Sequence, residues 1–465
     1  MGSGTVIELW VCDLTFPGYM DRMRSLGEQF ERAHPEYRVV IEGHDFRKLP
    51  HVIADAVSRG RAPAVAEYYF SASQTARDMR RPDGSPLFTS VERAIGGRAE
   101  VLGEPVVLGD VIPAIADYYT VDGEYESMPS VSTTPVLYAN TALLEAAGIG
   151  AMPRTWDELE AACRTVAERL PGGPSHGVNW PNHGLFFQQA LGVQGGRLAE
   201  PGPDGRITTV DLSSKEMMTW VKWWQRMSSE GHYLYTGKIP DWLGSLQVFA
   251  AQQVALRISS SNDINYMVRA ATDAGFGIEV APFPHAAPVP GAGSATAGTG
   301  FWLADGLDEA TRDGALALLQ YMHNPRNAAD RHKENSFVPL TRASFRLLEE
   351  EGWFAEHPYH RVPSDQLETT RGALPSLPFG DFVGAQDVMT RAMHDVLVAG
   401  ADPDERFEQA TAEAQQLLDD YHADCAGTGP KSFNSLRVEY FRDADEYSGA
   451  DLENVLESES GERAT

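Results

Sequence analysis

Hydrophobic and polar positions follow two alternating periods over residues 5–70. Val6-Ile7-Glu8-Leu9-Trp10-Val11 is a short, β-branched apolar run that predicts a strand. From Tyr19 to His34 the residues Met20, Met23, Leu26 and Phe30 recur at helical spacing, and Pro35 ends the pattern. Tyr37 to Glu42 then predicts a second strand and Leu49 to Ser58 a second helix. Gly60 and Pro63 punctuate the chain before a third strand from Val65 to Phe70. Strands alternating with helices in this way predict a parallel sheet with crossover helices. Ligands of such sheets collect beyond the carboxyl ends of the strands, here on the loops Cys12–Gly18 and Phe70–Gln74.

Further along, Ser127-Met128-Pro129 and Thr134-Pro135-Val136-Leu137-Tyr138 predict extended segments, with a helix from Thr141 that Gly148 and Gly150 stop. Thr155-Trp156-Asp157-Glu158 has the spacing of a capping box. Long helices are expected over 214–230, 308–322 and 405–422. The Gly/Ser/Ala-rich stretch before Phe301-Trp302-Leu303-Ala304 predicts a loop leading into a strand. No internal repeat is present. The last residues, from Lys431, are crowded with Asp, Glu and Ser and lack apolar periodicity, so they predict a loosely held tail.

Composition narrows the class. The chain has 465 residues, 42% hydrophobic and 22% charged, which suits a soluble protein with sizeable cores. Lys and Arg number 38 against 66 Asp and Glu, a net charge of −28. A field of that sign repels nucleic-acid backbones and anionic lipid heads, so neither is an expected partner. No stretch is long and apolar enough to insert into a bilayer. Cys12, Cys163 and Cys425 are scattered and make neither a disulfide framework nor a zinc cluster.

The chemistry-bearing motifs are few. There is no phosphate-cradling loop, no G-x-G-x-x-G after a strand, no H-E-x-x-H and no G-x-S-x-G, and no cofactor is expected. His357 and His360 flank Pro358 and predict a solvated loop rather than a metal site. Trp180 and His183 sit among turn formers, where an aromatic face can stack on a flat ligand. Trp220, Trp223 and Trp224 share one helical stretch and predict core. Ser259-Ser260-Ser261-Asn262 follows an apolar run and either binds ligand oxygens or caps the next helix. Cys12 beside Asp13 ends the first strand, where a thiol is either buried and inert or a nucleophile activated across a cleft.

The segment Ser127-Met128-Pro129-Ser130-Val131-Ser132-Thr133-Thr134-Pro135-Val136-Leu137-Tyr138 resembles the middle of the extracellular solute-binding subunits of ABC importers, closest to glycerol-phosphate and carbohydrate binders. Asn140 through Ile149, with its Ala147-Gly148-Ile149 end, and Pro153-Arg154-Thr155-Trp156-Asp157-Glu158-Leu159 continue the likeness. So do Arg61-Ala62-Pro63-Ala64, Gly300-Phe301-Trp302-Leu303 and Val338-Pro339-Leu340-Thr341-Arg342, over about residues 5–425. The resemblance implies an α/β fold of the periplasmic-binding-protein type II class, two lobes with a hinge and a central ligand cleft. It implies residues 1–117 with about 266–322 in lobe 1, about 118–265 with 323–425 in lobe 2, and an acidic tail over 426–465.

By position, the resemblance implies ligand contacts at Asp13, Phe46, Phe70, Ser132, Thr133, Trp180, His183, Ser260, Ser261, Gly298, Thr299, Phe337 and Phe382. Where glycerol-phosphate binders carry two tyrosines, a glutamate and an arginine, this chain places Phe46, Phe337, Phe70 and Phe382. That exchange argues against glycerol phosphate, because a buried phosphate needs a compensating cation. The expected function is capture of a sugar, polyol or derivative for ABC permease subunits. The expected location is outside the cytoplasm if a signal was trimmed, and the cytoplasm if Met1 is the native start. The alternative is a cytoplasmic enzyme on the same fold with Cys12 as nucleophile and His183 as base. A scaffold role for the acidic tail is the third reading.

Overall fold

The computed structural model describes residues 4–14, 18–202, 206–290, 292–370 and 379–428. From residue 429 onward the expected tail lies outside these residues, as does part of the loop after Cys12. Two large sheets, of six and five strands, organise the molecule. The first runs in the order Tyr37–Asp45, Thr5–Asp13, Val65–Tyr69, Ala297–Ala304, Phe88–Thr89, and Met128–Thr133 also pairs with Ala297–Ala304. Its amino-terminal strands are parallel, with the helices Tyr19–Ala33 and Leu49–Ser58 as crossovers. The second runs Tyr233–Leu234, His176–Asn179, Val254–Ser260, Pro135–Asn140, Ile278–Pro282, with Pro135–Asn140 antiparallel to both neighbours.

Local physics explains most element boundaries. Helix Tyr19–Ala33 buries Tyr19, Met23, Leu26 and Phe30 at the predicted spacing, while Met20 is only half-buried. The capping box forms: Glu158 N donates to Thr155 Oγ1 at 3.1 Å, and Thr155 N donates back to Glu158 Oε2 at 3.3 Å. Ser214 and Asp308 cap the helices Lys215–Ser229 and Glu309–Met322 through side-chain acceptors. Central strands such as Val254–Ser260 and Ala297–Ala304 are buried at every position. Helices cover both faces, so their apolar runs are continuous rather than alternating.

The sheets divide the chain differently from the expected lobe boundaries. Met128–Thr133, expected in lobe 2, belongs to the first sheet. Helix Ile264–Ala274 and strand Ile278–Pro282, expected in lobe 1, pack with the second sheet. The physical reason is pairing: Ala297–Ala304 is the strand that returns to Val65–Tyr69, so the crossover follows Pro282 instead of preceding residue 266. The solvated loop expected at His357–His360 is also corrected, since His360 is buried against His332 and Trp353.

The chain first passes between sheets at Thr134, and every polar group of that residue is tied. Its N donates to Ser261 Oγ at 3.1 Å and its Oγ1 donates to the Ala295 carbonyl at 2.9 Å. Gln366 Nε2 donates to Thr134 Oγ1 at 2.8 Å, and Ser261 N donates to the Thr134 carbonyl at 2.9 Å. No helix among the described residues is long and apolar enough to cross a membrane.

Candidate ligand-binding cleft

A cleft opens where the two sheets meet, at the end of the parallel strands that doubly wound folds use for ligands. From the first sheet and its loops come Leu14, Phe46, Arg47, Tyr69, Val131, Thr133 and Gly298; Phe337 closes that wall. From the second come His183, Leu185, Pro240, Trp242, Ser260, Asn262, Asp263 and Gln386.

The local sequence holds these side chains in place. Phe46 lies 4.9 Å from the Tyr69 ring, and the Arg47 guanidinium lies 5.4 Å over Phe46. Arg47 Nε donates to both oxygens of Asp45, at 2.9 and 3.1 Å, so this cation is already compensated. His183 caps helix Gly184–Gly192, its Nδ1 accepting from Leu185 N at 3.1 Å, which leaves the ring hydrogen on Nε2. Burial pulls its pKa down to about 4, so the ring is neutral at physiological pH. Asp241 accepts from Gly244 N at 2.9 Å and starts helix Trp242–Ala250, setting Trp242 at the cleft, 5.2 Å from His183. Ser259 Oγ links Arg257 to Asp263: it accepts from Arg257 Nη2 at 3.2 Å and donates to Asp263 Oδ2. Burial raises the pKa of Asp263.

Of the residues singled out in the sequence, Phe46, Thr133, His183, Ser260, Asn262, Gly298 and Phe337 meet in this cleft. The others do not line it. Ser132 and Ser261 stitch the crossover instead, Ser132 Oγ lying 2.6 Å from Thr296 Oγ1. Thr299 donates to the buried Glu67 carboxylate, whose pKa burial raises. Asp13 continues the first strand opposite Asp45. Phe70 and Phe382 pack on each other at 6.1 Å within the core. Trp180 is 1% exposed and stacks parallel to Trp223 beneath Tyr233, so its apolar burial overrides the expected role in stacking. Sequence reasoning missed Trp242 and Gln386. Pro240-Asp241 before Trp242 is the same turn-former signal that pointed to Trp180.

The Cys12–His183 pair is corrected as well. Cys12 is fully buried, its N donating to Glu67 Oε2 at 2.8 Å and its thiol to the Glu67 carbonyl at 3.6 Å. Burial first, and then the Glu67 carboxylate, push the thiol well above its ordinary pKa, which removes the thiolate a nucleophile needs. His183 lines the cleft and Cys12 does not. With native protein and iodoacetamide at mildly alkaline pH, Cys425 is expected to react first, since it is partly exposed and its thiol is pushed only to about 11. Peptide mapping that finds Cys12 labelled as fast as Cys425 would restore the nucleophile.

A family described as bacterial extracellular solute-binding protein matches residues 25–359. The sn-glycerol-3-phosphate-binding periplasmic protein UgpB of Salmonella typhimurium is 25% identical over 414 residues, covering 85% of this chain and 88% of that one. Its counterpart in Escherichia coli O1:K1 is 24% identical over 409 residues with the same coverage. Among solved structures, UgpB from Mycobacterium tuberculosis in complex with glycerophosphocholine superposes with a TM-score of 0.70 at 19% identity, covering 91% of this chain and 100% of that one. The sugar-binding protein MalE from Xanthomonas citri gives 0.74 at 16% identity, with the same coverage. The fold is therefore the two-lobed α/β periplasmic-binding fold, and the chain belongs to the bacterial extracellular solute-binding protein family.

Proposed function

We propose that this protein captures a small neutral solute of sugar or polyol type and hands it to the permease of an ABC importer outside the cytoplasm. One observation carries the ligand class. The cleft walls pair aromatic rings (Phe46, Tyr69, Phe337 and Trp242) with uncharged hydrogen-bonding groups on Thr133, Ser260, Asn262 and neutral His183. Sugar rings have apolar faces that stack on such rings and hydroxyl edges that meet such groups. The cation among the described lining residues, Arg47, is engaged by Asp45, and Asp263 is a carboxylate, so among the described residues no lining cation is left to spare for a phosphate. Two relatives are named for sn-glycerol 3-phosphate and one solved structure, of the GacH receptor of Streptomyces glaucescens, for acarbose. The wall chemistry favours the second kind.

Calorimetric titration with maltose, acarbose, glycerophosphocholine and sn-glycerol 3-phosphate tests the reading. Saturable binding of maltose or acarbose with one site per chain, and no heat from sn-glycerol 3-phosphate, is the expected result. Binding of sn-glycerol 3-phosphate alone, or of none of the four, would overturn it.

A further inference from the structure

The outer face of helix Lys215–Ser229 carries chemistry that the solute cleft does not use. A groove of about 470 Å³ lies there, between this helix and the start of helix Trp156–Arg169. Its floor is apolar: Met218 and two indoles, Trp156 and Trp223, stacked with centroids 5.1 Å apart. Its rim is cationic. Lys215, Lys222 and Arg226 are exposed there on one helix face, and Asp157 is the carboxylate among the described lining residues. Lys222 faces Asp404 at 2.7 Å and Arg226 faces Glu160 at 2.9 Å, but Glu160 also serves Arg164 at 3.2 Å. The cations therefore exceed these carboxylates, in a chain where Asp and Glu outnumber Lys and Arg by 66 to 38. Such a local excess attracts an acidic partner.

The chain supplies one. Residues 443–465 hold eight Asp and Glu against one cation, Arg463. Within them Leu452, Val455 and Leu456 are interleaved with Asp451, Glu453 and Glu457. An apolar floor with a cationic rim is complementary to an apolar group flanked by carboxylates. The distance is also met. Asp404 stands in the first turn of the last described helix, Pro403–Thr428, so its ion pair with Lys222 sets the groove beside that end. The 26 residues of this helix span about 39 Å. A chain as long as residues 429–450 can reach about 70 Å, enough to return to the groove. Tethering gives such a segment a high effective concentration, so the chain's own carboxylates meet the groove ahead of a free peptide.

We propose that this groove is an intramolecular docking surface for the acidic segment from Asp451 to Glu457. Its leucines and valine cover Met218 and the stacked indoles, and its carboxylates meet Lys215, Lys222 and Arg226. The assignment is independent of which solute the cleft takes.

Carbodiimide cross-linking of the full chain at micromolar concentration, followed by peptide mapping, tests it. The reagent joins a lysine amine to a carboxylate in contact with it. The Lys222–Asp404 link reports that the groove is reactive. Lys215 or Lys222 is expected to join Asp451, Glu453 or Glu457 about fivefold more than exposed Lys48 or Lys238 does. Leu452→Ser, Val455→Ser and Leu456→Ser combined keep every charge and are expected to cut that link about fivefold. A Lys222–Asp404 link without a link to residues 451–457, equal yields at these lysines, or an undiminished link in the triple variant would overturn the proposal. Links found only between two copies, when isotope-labelled and unlabelled chains are mixed, would overturn it too and give the groove to a second molecule.

Discussion

Alanine at Gly298 is expected to destabilise the protein by roughly 3 kcal/mol or more, and to abolish solute binding in what remains folded. The residue has φ of +151°, a backbone conformation that L side chains rarely adopt, and a Cβ there would stand 1.9 Å from the Val131 carbonyl oxygen. That neighbour is backbone, so no rotamer change relieves the clash. Relief requires Ala297–Ala304 to part from Met128–Thr133, where Gly298 pairs opposite Ser132. Ser132 in turn accepts from Val338 N at 2.9 Å, one residue beyond the cleft residue Phe337. The disturbance would therefore reach the crossover and the first-sheet wall together. Denaturant unfolding and titration of the same preparation check it. Wild-type stability in Gly298→Ala would mean that the strands do not approach as closely as described.

The parts of the fold legible in the sequence are those set by local spacing. Leu49–Ser58 forms over the predicted span, and the Thr155–Glu158 box starts its helix where the side-chain chemistry requires. Lobe membership was not legible, because it depends on which distant strand pairs with which. Ala297–Ala304 reads as a strand from its own residues, but nothing local says that it lies against Val65–Tyr69 on one side and Met128–Thr133 on the other. The site divides in the same way. The family likeness, which follows position along the chain, points to Phe46, His183 and Phe337, and these three line the cleft. Ser132 and Ser261 have hydroxyls suited to a ligand, yet the crossover at Thr134 uses them. Gln386 is a polar residue directly after Phe382-Val383-Gly384-Ala385, on a helix whose residues from Phe382 to Thr390 are all buried.

Trp180→Ala is expected to cost about 3–5 kcal/mol of stability while leaving solute affinity nearly unchanged in the folded protein. The indole is 1% exposed and lies parallel to Trp223 with centroids 5.8 Å apart. It also touches Trp220 at 5.5 Å, Trp224 at 5.2 Å and Tyr233 at 4.2 Å. These rings come from helix Lys215–Ser229 and strand Tyr233–Leu234, and truncation would leave a void bounded by rigid aromatic planes. Rigid walls collapse poorly, which places the cost toward the upper end of the range for an aromatic truncation. The hydrogen bond from Tyr233 Oη to the Trp180 carbonyl, 2.7 Å, involves backbone and survives the substitution, so the path of the chain into His183 is kept. His183 keeps its cap on Leu185 N, and the cleft keeps its wall. Denaturant midpoints with unchanged slopes would register the stability loss, and calorimetry on the same variant would register affinity. A variant with wild-type stability and collapsed affinity would return the indole to the cleft.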